Sequence, residues 1–94
     1  MANYIARVEL HKANADDYEE LHANMSANGY SRTVESGEGT TYQLPTGTYV
    51  MRSTTVTQDT ALKAAQEAAS ATGRNYSVII ADWTQATWSG LAIV

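Results

Sequence analysis

None of the 94 residues is a cysteine, which excludes disulfides, thiolate metal sites and cysteine nucleophiles together. Histidine is nearly as scarce, with only His11 and His22, and two imidazoles in separate elements do not make a metal-ligand spacing. No apolar run approaches the ~20 residues of a membrane-spanning helix; the longest, such as Val78-Ile79-Ile80-Ala81, stop far short. The opening Met1-Ala2-Asn3-Tyr4-Ile5-Ala6-Arg7 has neither a basic n-region nor a long apolar h-region. No secretory signal is therefore expected, and no lipidation motif occurs, so a cytoplasmic protein is the expectation. Basic residues are few, six against ten acids, for a net charge of −4. General affinity for nucleic acid rests on a basic stripe that releases counterions from phosphate. This balance permits only a local patch. Gly37-Glu38-Gly39 falls between two strand candidates rather than between a strand and a helix, so it is not a phosphate-cradling loop.

What is present is enough hydrophobic residue, 44%, for one small core. A chain of 10.2 kDa should expose about 5,300 Å² when folded, and residues 1–94 are expected to form one domain. Residues 3–10 alternate with a period of two, Tyr4, Ala6, Val8 and Leu10 against Ile5, Arg7 and Glu9, which predicts an amphipathic strand. Asn14 then has the chemistry of a helix N-cap, with Asp17 three positions on. Tyr18, Leu21 and Met25 share one helical face, and Gly29 is a C-terminal stop. Tyr30 to Ser36 and Thr40 to Leu44 read as strands around a Gly-rich turn. Pro45 marks a strand end or edge, and strand character resumes over Thr48 to Thr54; whether 40–44 and 48–54 are one interrupted strand or two stays open. Thr57 and Asp59 open an alanine-rich helix over 59–72 whose thin face lets it lie close to a sheet. Residues 75–83 are so apolar that burial on both faces is expected. The apolar tail through Val94 needs tying down, in its own sheet or against a partner.

The order β-α-β-β-α-β predicts an α+β fold of the ferredoxin-like, split βαβ kind. Its antiparallel sheet carries two helices on one face, with strands in the order 4-1-3-2. The other face has no helix to cover it.

If Tyr4, Ala6, Val8 and Leu10 face the helices, Arg7 and Glu9 face the open side. Arg32 and Arg52 on the neighbouring strands could then join Arg7 in a row of guanidiniums able to clamp phosphate. The parity of those strands is open, since placing Val34 inward places Arg32 inward too. Pairing of these arginines with Glu9 and Glu35 is the plainer alternative. RNA cleavage by attack of a 2′-hydroxyl needs a base, an acid and a phosphate clamp, roles that His11, His22, Glu9 and the arginines can fill. Asp16, Asp17, Glu19 and Glu20 complement a helix dipole rather than make a metal site. Trp83 and Trp88 read as core or interface anchors.

Several strings carry a resemblance. Tyr4-Ile5-Ala6-Arg7-Val8-Glu9-Leu10-His11, Asp17-Tyr18-Glu19-Glu20-Leu21-His22 with Met25, Gly29-Tyr30-Ser31-Arg32 and Thr41-Tyr42-Gln43-Leu44-Pro45-Thr46-Gly47-Thr48-Tyr49 resemble the GhoS-like family of small bacterial proteins. The resemblance covers most of residues 3–83. It implies a ferredoxin-like fold and an antitoxin-type endoribonuclease that acts on a specific mRNA, the messenger of a small membrane toxin. Related CRISPR-associated nucleases use an aspartate near the end of the first strand, where this chain has Glu9-Leu10-His11. That departure points to metal-independent chemistry, with no cofactor. Candidate catalytic residues are His11, His22 and Glu9, and candidate RNA-binding residues are Arg7, Arg32 and Arg52. The partners expected are one specific RNA and a second copy of the chain in a homodimer, with no DNA and no membrane. A non-catalytic homodimeric binding module is the alternative.

Overall fold

Period-two alternation in the first strand sets the frame for everything that packs on it. The computed structural model describes residues 1–94 and runs β1 (Ala2–Leu10), α1 (Ala15–Ala27), β2 (Thr33–Glu35), β3 (Thr41–Gln43), β4 (Thr48–Thr54), α2 (Gln58–Ser70) and β5 (Tyr76–Asp82). β1 is the central strand of a three-stranded sheet ordered β4-β1-β5, antiparallel to both neighbours, with Ala6 opposite Tyr49 on one side and Ile80 on the other. The chain just before β2 joins the far side of β4 through Ser31, which exchanges backbone hydrogen bonds with Val50 at 2.7 and 2.8 Å. These neighbours follow the expected order of an antiparallel, ferredoxin-like α+β sheet. Residues 40–44 and 48–54 are two strands, not one: β3 pairs with β2 as a separate hairpin, and Gly47 at φ +85 turns the chain into β4.

Both helices begin where the sequence predicts. Asn14 Oδ1 accepts from Asp17 N–H while Asp17 Oδ2 accepts from Asn14 N–H, each at 3.0 Å, a reciprocal cap. Thr57 caps α2, its hydroxyl oxygen accepting from Thr60 N–H. The inner face of the sheet meets these helices through Tyr4, Ala6, Val8, Leu10, Tyr49 and Met51. Ala61, Ala65, Ala68 and Ala69 form the buried stripe of α2. Such small side chains bring the helix close enough for tyrosine hydroxyls to reach its backbone. Tyr30 Oη donates to Ala61 O at 2.7 Å, and Tyr4 Oη donates to Val56 O at 2.8 Å, just before the helix. Burial, with Tyr4 beside it, pushes the Tyr30 phenol up to about 12, which fixes it as a donor.

Two expectations are corrected. β5 is not buried on both faces: it lies at the sheet edge, where the helices cover one side only, and Ile79 is 66% exposed. The outer face is not fully open either. Val34, Leu44 and Val50 form a second small core there, with Ile5, Tyr42, Trp83, Trp88 and Leu91 packed on it. The apolar tail is tied down within the chain, as Gln43 N–H donates to Ala92 O and Val94 N–H donates to Thr41 O. No helix is long and apolar enough to cross a membrane.

Candidate functional site

His22 stands on α1 between Leu21 and Met25, both fully buried. It flanks the apolar stripe of the helix rather than lying in it, and is half-buried. Its Nδ1 lies 2.6 Å from the hydroxyl of Tyr49, a hydrogen bond whose direction follows the imidazole tautomer. The two rings are 5.8 Å apart and tilted by 56°. Alternation along β4 aims Tyr49 at the helices, where it is completely buried.

The electrostatics of this pair identify its neighbours. Burial lowers the His22 pKa, the positive charge of Arg32 lowers it further, and Glu19 opposes them. The Tyr49 phenol is pushed up to about 12, chiefly by burial and also by Tyr18 and Glu19, against the pull of Arg32 and Arg7. His22 is therefore neutral and Tyr49 protonated near pH 7, with two guanidiniums in electrostatic reach.

Arg32 occupies a bend between the Ser31 bridge and β2. The bend breaks strict alternation, so Val34 packs into the outer core while the charge of Arg32 acts on His22 and Tyr49 of the inner face. With its carboxamide turned to face the guanidinium, Gln43 accepts from Arg32 Nη2 at 2.8 Å and Nη1 at 3.3 Å. Arg32 Nε is buried without a partner.

A second group gathers on the outer face. Arg7, Glu9, Ser77, Val78 and Ile79 line a shallow groove of about 270 Å³. Arg7 Nη1 donates to Val8 O at 3.0 Å, and His11 Nε2 lies 2.9 Å from Ser77 Oγ. The structure thus brings His22 together with Arg32, and Arg7 with Glu9 and, through Ser77, His11. It does not align the three arginines. Arg7 faces Thr48 across the β1–β4 ladder, and Arg52 lies four residues farther along, about 13 Å away at strand spacing. Arg52 is exposed there, beside a bulge in which Ser53 has φ +54.

None of Arg7, Arg32 and Arg52 is paired with a carboxylate. The one ion pair, Arg74 Nε to Asp17 Oδ2 at 2.9 Å, ties the N-terminus of α1 to the approach to β5. Asp17 is thereby occupied twice, as cap and as counter-ion. No three His, Asp or Glu side chains are grouped where they could hold a metal ion.

Tyr49 is the residue sequence reasoning missed. A tyrosine in a Val- and Met-bearing strand reads as core, which it is. The helical spacing of Tyr18 and His22, one turn apart, was the available signal that a polar partner waits beneath that face. A family model described as Endoribonuclease GhoS matches residues 1–89, and no curated protein matches the chain.

Proposed function

This chain belongs to the GhoS endoribonuclease family, and from that premise we propose that it is an antitoxin-type endoribonuclease. In this reading it cuts one specific messenger RNA in the cytoplasm without a metal or other cofactor. The observation that carries the reading is a neutral, half-buried histidine hydrogen-bonded to a buried tyrosine, with Arg32 alongside. With Nδ1–H donating to Tyr49 Oη, His22 Nε2 keeps its lone pair and takes the proton of the ribose 2′-hydroxyl. The O2′–P bond forms, the P–O5′ bond breaks, and the leaving oxygen takes a proton from solvent. Arg32, with Arg7, stabilises the charge on the phosphoryl oxygens. The products are a 2′,3′-cyclic phosphate and a 5′-hydroxyl. DNA is not a substrate of this step because it lacks the nucleophile. His11 and Glu9 lie outside this group; Glu9 lines the groove along which the RNA runs, and His11 stands beyond it, held to Ser77.

The test is purified protein incubated with candidate transcripts in EDTA, with end-group analysis. Cleavage leaving a cyclic phosphate is expected, with Arg32→Ala and His22→Gln slower by about 10²- to 10⁴-fold and His11→Ala nearly unaffected. Absent cleavage, or cleavage undiminished in both the Arg32 and His22 variants, overturns it.

A second reading has its own observation. The edge of β5 is unpaired and Ile79 is 66% exposed beside it, a surface suited to a second copy of the chain. In the homodimer read this way, Ile79→Lys shifts the species seen by light scattering from dimer to monomer. A wild-type protein that is already monomeric at micromolar concentration removes this reading.

A further inference from the structure

Alternation along β3 sends Tyr42 and Leu44 into the outer core, so Gln43 between them points the other way, toward Arg32. The backbone around this contact is held from several directions. Gln43 sits opposite Thr33 in the β2–β3 ladder, its N–H donates to Ala92 O at 2.8 Å, and the N–H of Leu44 donates to Arg32 O at 2.7 Å. Hairpin and tail together fix the carboxamide against the guanidinium, where its oxygen accepts from Nη2 at 2.8 Å and Nη1 at 3.3 Å.

The neutrality of that partner is the informative part. A guanidinium drawn partly out of water is ordinarily matched by a carboxylate, and the chain carries ten acids. Arg32 is half-buried, with its Nε wholly so, yet it makes no ion pair with any of them. Its side-chain partner is an amide. A carboxylate in the same place would bind both Nη atoms and offset the charge. The amide oxygen takes one N–H from each Nη and leaves each a second, so the guanidinium is fixed with its full charge free for an anion. The same charge acts on His22. The imidazole is also faced by Glu19 of its own helix and Tyr49 of β4, and Tyr49 in turn by Tyr18 of α1 and Arg7 of β1.

We infer that Gln43 is a positioning residue of the cleavage site: its carboxamide holds the Arg32 guanidinium beside His22 and Tyr49 without neutralising it. The inference rests on the ribonuclease reading for its anion, a phosphate of the RNA, but the brace itself is a property of the folded chain. Gln43 touches no reacting atom and acts through Arg32. Exchanging its amide nitrogen for an oxygen, as in Gln43→Glu, turns an open phosphate clamp into a closed ion pair.

The test is an NMR titration of the His22 imidazole, assigned through His22→Gln because His11 is the only other histidine. Gln43→Glu should close an ion pair with Arg32, release the imidazole from that charge and raise the His22 midpoint by about one pH unit. Gln43→Met keeps the bulk and removes the acceptor, and the loosened guanidinium should raise the midpoint by less. Gln85→Glu, the same change on the exposed tail, should leave it in place. A midpoint unmoved in both Gln43 variants, or moved equally in Gln85→Glu, overturns the brace; if one Gln43 variant does not fold, the other decides. Transcript cleavage is measured in parallel. Gln43→Met should slow it about tenfold, the loss of one hydrogen bond, and should have no further effect in an Arg32→Ala background. The acid limb of the pH profile should move upward with the His22 midpoint. Equal slowing in both backgrounds also overturns the brace. No cleavage by the unaltered chain sinks the ribonuclease reading and leaves the titration to decide the brace; cleavage with an unmoved titration sinks the brace alone.

Discussion

On its inner face the sheet meets two helices through a core of 13 buried residues; on its outer face it meets a hairpin and a tail through three. The inner layer is closed chemically as well as sterically. The Tyr4 and Tyr30 hydroxyls and the Asn24 amide each donate to a backbone carbonyl of α2 or its approach. The outer layer and its flanks hold both buried side-chain atoms that lack a partner, Arg32 Nε and Trp83 Nε1, and an apolar cavity of about 250 Å³. Native proteins rarely leave such groups unsatisfied without a use for them. The contrast sets a densely packed inner layer against a looser outer one.

That division can be broken by experiment. Leu21 is fully buried in the inner layer, and Leu21→Ala should cost about 3 kcal/mol in urea denaturation. A loss under about 1 kcal/mol would show that the inner core is not where stability resides. Gly47 lies at the join of the two faces, at φ +85, where an added Cβ would meet the Arg7 guanidinium and come within 2.6 Å of Val8 O. Gly47→Ala should cost about 2 kcal/mol through backbone strain and that contact, and should lower RNA cleavage further by displacing Arg7. Retained stability with retained cleavage would remove Arg7 from the site. Leu91, only half-buried in the outer layer, should cost about 1 kcal/mol as Leu91→Ala. A cost equal to that of Leu21→Ala would erase the distinction between the layers.

The smallest effect is on pH dependence. His22 has a folded pKa below the usual 6.5, so the unfolded chain binds more protons in the window just beneath that value. Stability from this residue is complete above about 6.5 and declines as the pH falls toward the folded pKa. His22→Gln should flatten that decline in melts followed across pH 5 to 7. Cleavage should fall on the same acid limb, because the base form of His22 is lost there.

Much of the fold is written locally and could be read. Alternation in β1 fixed which residues face the helices, Asn14 and Asp17 make the cap their spacing predicts, and the Gly-rich turn at 37–39 closes a hairpin. What escaped depends on tertiary placement. The run Val78-Ile79-Ile80-Ala81 has the composition of a strand buried twice over, yet edge position is decided by which strands pair and not by the run itself. The row of arginines failed for a related reason. Arg7 and Arg52 do share the outer face, but the register of the β1–β4 ladder sets Arg7 opposite Thr48, and the bend at Arg32 removes that residue from the parity of Val34. The tail was legible as something needing an anchor. Its anchor on β3 was not, because backbone pairing leaves no residue-type signature.

The position of β1 has a consequence for how the protein comes into being. The first strand synthesised is the centre of the sheet, and its two ladders wait for Thr48–Thr54 and then for Tyr76–Asp82. As the chain leaves the ribosome, an amphipathic, unpaired strand precedes both partners, and the three-stranded sheet is not complete until Tyr76–Asp82 has emerged. Long-range pairing of this kind slows folding and leaves strand edges exposed in the interval.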